Sequence, residues 1–279
     1  MPSPLFLLFE NWIWCLLMAA LVLHWAGRAT LGWATFAAWC AIALFTDHIT
    51  WGALAMIGAG LGLALLPKPQ SWLINLGRHL LFVIWGVAMA AHLVPGFTNV
   101  QVLDQVLSGP QSAPYSLHLN LDKPVVFIAL LLFAPTLLQP TAARRRAWRL
   151  AAVALALALF PLALALGALR WEPSVPHWLL IFLLANLLQT CLVEEAFFRG
   201  YLQKTLIARF GATAGIAGAS VLFGLAHAGG GPVLILFAGL LGLACGLVHW
   251  AGGRLAYAVG LHFLFNCLHL LLFTYPLAA

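Results

Sequence analysis

The chain has 279 residues, 64% of them hydrophobic and only 7% charged, with 13 Lys+Arg against 7 Asp+Glu and a net charge of +6. Soluble domains carry roughly a quarter charged residues, and so few charges cannot keep the surface of a fold this size in water. A soluble enzyme, a disordered chain and a nucleic-acid-binding domain are excluded; the mean hydropathy of +1.02 points to an integral membrane protein.

A bilayer core needs about 20 apolar residues per helix, roughly 17–25. On that ruler the sequence predicts ten spans, at 5–26, 29–46, 50–66, 72–94, 125–140, 150–169, 177–208, 212–228, 233–250 and 254–275, with soft ends for the third, fifth, eighth and ninth. The expected fold class is all-α, a polytopic transmembrane helix bundle of about ten spans (eight to ten). The opening Met1-Pro2-Ser3-Pro4 carries no basic residue, so the apolar run Leu5 to Trp25 reads as a retained helix and not a cleaved signal. Prolines such as Pro67, Pro95, Pro124, Pro140, Pro176 and Pro232 punctuate the helix ends. The one long connection, Pro95 to Pro124, is polar enough to lie at or beyond the interface. It divides an N-terminal four-helix region, residues 1–124, from a second region, 125–279.

Ten of the 13 cations fall in alternate loops, among them Arg144, Arg145, Arg146 and Arg149 in one loop. The positive-inside rule places those loops in the cytoplasm and, for an even number of spans, both termini outside. The expected location is the bacterial inner membrane. The five cysteines sit inside apolar runs without paired spacing and read as reduced packing residues.

Five of the seven acids lie near an expected surface or in a loop. Glu194 and Glu195 instead interrupt the apolar run Leu179 to Val193. A central carboxylate costs about 2.5–3.5 kcal/mol on insertion scales, and an ionisable residue at membrane depth is a functional hypothesis by default. At about 1.5 Å per residue, Glu194 lies about 21 Å from the end of its span, His227 about 22 Å up the next, and His262 and Asn266 about 12 and 18 Å up the last. His262 and Asn266, four apart, share a helix face. Glu195 and Arg199, also four apart, form an intrahelical pair that leaves Glu194 for chemistry. The Gly-rich stretch Ala228-Gly229-Gly230-Gly231-Pro232 must end the helix after His227, and irregular backbone at membrane depth needs protein or water around it.

A carboxylate and a histidine sharing a water make a general base, and the oxyanion formed on a peptide carbonyl needs hydrogen-bond donors. Glu194 and His227 suit the first task, His262 and Asn266 the second. Two histidines and a carboxylate are also a common zinc set, so zinc held by Glu194, His227 and His262 stays open beside the preferred metal-free reading.

Glu194-Glu195-Ala-Phe-Phe-Arg199, Phe223-Gly-Leu-Ala-His227 and His262-Phe-Leu-Phe-Asn266 look like EExxxR, FxxxH and HxxxN motifs. In order and spacing they resemble the CPBP family (CAAX proteases and bacteriocin-processing proteins), which includes the Ras-converting CAAX endopeptidases. The resemblance covers about residues 178–270. It implies an intramembrane endopeptidase in which Glu194 and His227 activate water, His262 and Asn266 form the oxyanion site, and Glu195 and Arg199 support the helix. The substrate implied is a membrane-anchored peptide or protein cleaved near its C-terminus; the other partner is the lipid bilayer. It would make residues 125–279 a catalytic, CPBP-like core. Against it stand a transporter or proton relay using the same buried residues, and a non-enzymatic membrane scaffold in which they are a structural ion pair and interhelical glue.

Overall fold

The computed structural model describes residues 4–279; the Met1-Pro2-Ser3 start, on which the retained-helix expectation partly rests, lies outside the described residues. The fold is almost entirely helical. In chain order the helices are α1 (Pro4–Glu10), α2 (Trp12–Trp25), α3 (Ala29–Phe45), α4 (Trp51–Leu65), α5 (Trp72–Ala90), α6 (Val125–Phe133) and α7 (Arg146–Ala165). They continue with α8 (Leu179–Phe210), α9 (Ala212–Leu225), α10 (Gly231–Gly252) and α11 (Leu255–Leu272). A two-stranded sheet, β1 (Val100–Val106) and β2 (Tyr115–Leu119), occupies the long connection that an all-α expectation leaves without strands.

The expectation of eight to ten spans is wrong. Among the described residues five helical stretches are long and apolar enough to cross a membrane: α5, α7, α8, the 25-residue stretch Ala228–Gly252 that includes α10, and α11. The other expected spans fall short on uninterrupted helix length, not on hydropathy. The run from 5 to 26 is interrupted at Asn11, whose backbone leaves helical geometry at φ −103° and ψ 38°, and α2 that follows has only 14 residues. Helix α4 stops before Pro67, with Leu66 already extended at ψ 134°. Helix α6 stops after nine residues at Ala134, φ −128° and ψ 75°, which precedes Pro135; a residue before proline is pushed out of the helical region. Helices α3 and α9 have 17 and 14 residues, about 26 and 21 Å of rise against a hydrocarbon core of about 30 Å. With five such helices, the even-count argument for both termini on one side no longer holds.

The chain divides into two compact units, one of residues 1–102 and 118–136, the other of 103–117 and 137–279. In the first, α2 packs on α3, and α4 on α5 and α6. Leu17, Leu21, Trp39, Ile57, Phe82 and Phe127 are fully or almost fully buried there. The Trp85 indole donates to Met56 O at 3.0 Å and lies against Gly60, where a Cβ would come within 2.2 Å of the ring. Asp122, a loop acid, is buried and takes the Nδ1 of His92 at 2.8 Å and the Asn99 amide at 3.2 Å.

In the second unit α10 is the central helix, packed by α7, α9 and α11, with α8 lying against α9 and α11 and touching α10 as well. Ala152, Ala156, Leu241, Ala244, Cys245, Val248 and Ala258 form its tight core, and Phe160 stacks on Phe265 and Phe273 at 4.6 and 4.8 Å. Small residues dominate because helices in lipid gain little from burying apolar surface against each other and associate through close packing. Glu172 lies in a loop yet is buried, accepting from Gln111 N at 2.8 Å and from the Ser112 hydroxyl.

Candidate active site

The site is built on α8, α9 and α11, all in the second unit. Helix α8 is not uniformly α-helical. Asn186–Cys191 and Ala196–Gln203 are wound as π-helix on either side of the short α-turn Leu192–Glu195, and Leu192 N–H bonds to Leu187 O five residues back. Such widened turns recur at functional sites. Here they set Glu195, Arg199 and Gln203, four apart in sequence, into the protein interior, where all three are completely buried.

Glu195 holds the centre. Its Oε1 accepts from Arg199 Nη1 at 3.0 Å and from His262 Nδ1 at 2.8 Å. The spacing of four puts Glu195 and Arg199 together; the tertiary fold adds His262 to the same oxygen. The Arg199 guanidinium also lies 4.2 Å from the centre of the Phe223 ring, a cation–π contact that strengthens away from water. Phe223 in turn meets the His262 ring edge-on at 5.8 Å and the His227 ring at 4.7 Å. One aromatic ring of α9 thus separates and aligns both imidazoles.

The two histidines are held in the same tautomer. Nδ1 of His262 faces a carboxylate, and Nδ1 of His227 faces the Phe223 carbonyl at 2.8 Å. Both partners only accept, so each Nδ1 carries a proton. His227 sits just past the end of α9, half-buried, before a single tight turn, Ala228–Gly230. Gly231, at φ 83°, then reverses the chain into α10 in a conformation that other residues rarely adopt.

Asn266 belongs to a second cluster. Its amide donates to Asn186 Oδ1 at 3.3 Å, and the same oxygen accepts from the Cys191 thiol at 3.2 Å. Glu194 is half-buried on α8 beside the fully buried Glu195. Neighbouring glutamates therefore differ in burial, one completely buried in an ion pair and the other half-buried.

Glu194, His227 and His262 do not form a zinc set in this arrangement. Among the described residues no group of three or more His, Cys, Asp or Glu side chains is gathered to hold a metal ion. The carboxylate nearest His262 is Glu195, already committed to Arg199.

Sequence reasoning overlooked Asn186, Gln189, Gln203 and His249, all buried. Gln203 donates to Gly246 O at 3.0 Å and towards His249 Nδ1 at 3.4 Å. The available signal was the repeat of four along α8, Glu195, Arg199, Gln203. His269, one turn beyond Asn266 on α11, bonds Thr274 O at 3.2 Å and meets the Tyr275 ring edge-on. Outside the spans, Tyr115 and Tyr275 share a hydroxyl hydrogen bond. Burial pushes the Tyr115 phenol up to about 12 and that of Tyr275 well above its usual value, so both stay neutral at physiological pH.

Glycines let α10 approach the site. A Cβ at Gly242 would lie 2.9 Å from Arg199 Nη2, one at Gly246 2.6 Å from Gln203 Oε1, and one at Gly224 2.6 Å from the Ile235 carbonyl. The last contact is with backbone and cannot relax by a rotamer change. Gly224→Ala is therefore expected to push α9 from α10 and to cost about 1–3 kcal/mol, the usual range for overpacking, read as a lower midpoint of thermal unfolding in detergent. An unchanged midpoint would show that the two helices are not held at this distance.

The fold and the site define a membrane-embedded helical protein with a buried Glu–Arg–His cluster across three helices. Residues 176–268, about a third of the chain, match the family described as Type II CAAX prenyl endopeptidase Rce1-like. The matched stretch contains α8 to α10 and most of α11 with every residue of the three motifs. No match to the chain was found among curated proteins or among solved structures.

Proposed function

We propose that the protein is an intramembrane endopeptidase that hydrolyses a peptide bond near the C-terminus of a membrane-anchored peptide or protein. The observation that carries this reading is the buried Glu195–Arg199–His262 cluster with Glu194 at its edge, inside the one stretch that matches a protease family. We assign the chemistry to residues 125–279.

In this reading Glu194 and the Nε2 of His227 take a proton from a water, and the oxygen attacks the peptide carbonyl carbon. The oxyanion accepts hydrogen bonds from Asn266 Nδ2–H and His262. For His262 to donate from Nε2 while Nδ1 stays on Glu195, the ring must be doubly protonated. Collapse of the tetrahedral intermediate returns the proton from the Glu194–His227 pair to the leaving amine. The general-base step supplies about 10²–10⁴-fold, and each oxyanion donor about 10²–10³-fold. Glu195 and Arg199 act through His262 as positioning residues. No step is routed through a metal.

The same reading puts the protein in a bacterial inner membrane with Arg144–Arg149 on the cytoplasmic face, following the positive-inside rule. A single cysteine introduced at Arg145 is expected to be labelled by a membrane-impermeant maleimide only after the cell is opened. Labelling in intact cells would reverse the orientation.

The test of the activity compares membrane-protein masses in cells carrying the wild-type chain and His227→Ala at equal abundance. At least one precursor is expected to persist with its C-terminal segment uncleaved in the variant. Identical mass profiles would overturn the protease reading.

A further inference from the structure

The start of α7 and the end of α10 meet in a cluster that the active site does not use. Thr141 N–H bonds to Gly253 O at 2.7 Å and Arg144 N–H to Ala251 O at 2.8 Å, pinning the segment before α7 onto the C-terminal end of α10. Arg144 Nη1 donates to Trp250 O at 2.6 Å while its guanidinium carbon lies 4.2 Å from the centre of the Trp250 ring. Trp148 meets Trp250 edge-on at 6.0 Å, and Arg149 lies 5.8 Å from the Tyr257 ring. Arg144, Arg145 and Arg146 are exposed.

The fold itself does not account for these charges. No acidic residue occurs between Asp122 and Glu172 in the sequence, and among the described residues no carboxylate pairs with any of the four arginines. Arg145, Arg146 and Arg149 sit at the cap and in the first turn of α7, where a helix macrodipole disfavours cations. Their position explains them better. Both α7 and α10 belong to stretches long enough to span, so this end lies at headgroup level, where tryptophan and tyrosine rings also settle.

We propose that Arg144, Arg145, Arg146 and Arg149, backed by Trp250 and Tyr257, form a binding surface for anionic phospholipid headgroups. The ring-stacked guanidiniums of Arg144 and Arg149 are held in place before the lipid arrives, which lowers the ordering cost of binding. Arg145 and Arg146 add mobile charge, and each cation near a bilayer surface adds to the attraction for acidic lipid. This surface is independent of the proposed proteolysis.

The test is native mass spectrometry of the purified, delipidated full chain in detergent, titrated with phosphatidylglycerol or phosphatidylcholine of matched acyl chains. The wild-type protein is expected to retain phosphatidylglycerol at least about tenfold more tightly than phosphatidylcholine. R144Q/R145Q/R146Q/R149Q is expected to lose that preference, whereas Arg170→Gln keeps it. Should the fourfold variant fail to fold by circular dichroism, R145Q/R146Q, which alters only two exposed side chains, carries the test with a severalfold weakening. Free phosphate in excess is expected to leave the lipid bound. Equal retention of the two lipids by the wild-type chain, unchanged retention in the variants, or displacement by free phosphate would each overturn the proposal.

Discussion

Glu194→Gln is expected to abolish peptide-bond hydrolysis while the protein still inserts and unfolds at the wild-type temperature. The substitution keeps the size of the side chain and removes its capacity to take a proton from water. Loss of a general base lowers turnover by about 10²–10⁴-fold, enough to take a slow membrane enzyme below detection. Glu194 is only half-buried and the amide is nearly isosteric with the carboxylate, so the loss of stability is expected to be small beside the loss of turnover. The measurement is cleavage of a membrane-anchored peptide by purified protein in detergent or liposomes, beside a thermal unfolding curve. Wild-type turnover by Glu194→Gln would remove the carboxylate from the mechanism and with it the proposed activity.

Its neighbour is expected to fail in a different way. Glu195→Ala leaves Arg199 fully buried without its carboxylate and takes the hydrogen-bond acceptor from His262 Nδ1. Breaking a buried pair by removing one partner costs about 3–5 kcal/mol, because the remaining charge stays in a low-dielectric interior. The expected result is a lowered unfolding midpoint or poor accumulation in the membrane, in contrast to Glu194→Gln. Replacing both partners, as in Glu195→Leu with Arg199→Met, is expected to recover most of the stability, since well-packed apolar residues often match a buried ion pair. Activity is not expected to return, because His262 would still lack the acceptor that fixes its tautomer. A Glu195→Ala protein as stable as wild type would show that the pair is not structural. A stable and fully active double variant would remove Glu195 from the positioning of His262.

The two predictions separate adjacent residues of the same type. Sequence spacing already assigned Arg199 to Glu195, since residues four apart on a helix are neighbours. It could not show that His262 shares the same carboxylate oxygen, because that contact joins α8 to α11 across 67 positions of sequence. Nor could it show that Phe223 touches Arg199, His227 and His262 at once. In the linear motif Phe223 is an apolar residue four before a histidine; in the fold its ring is the surface on which the charged and titratable groups are arranged.

The span count shows where hydropathy runs out. A sliding count of apolar residues sees composition, and the stretches 5–26 and 125–140 are apolar enough to count. A spanning helix must also run on without a break, and the backbone leaves helical geometry at Asn11 and just before Pro135. Both residues were visible in the sequence, and each deserved more weight than the average hydropathy around it.

What the sequence by itself determined is the membrane setting and the identity of the unusual residues: 7% charge and a pair of acids inside an apolar run follow from composition and the cost of burying a carboxylate. What only the tertiary structure decided is who partners whom. Glu195 takes both Arg199 and His262, Asn266 turns to Asn186, and both imidazoles turn Nδ1 to an acceptor. The physical reason is that depth along a helix follows from counting residues, whereas hydrogen-bond partners at that depth depend on helix rotation and on glycines such as Gly242 and Gly246 that admit side chains between helices.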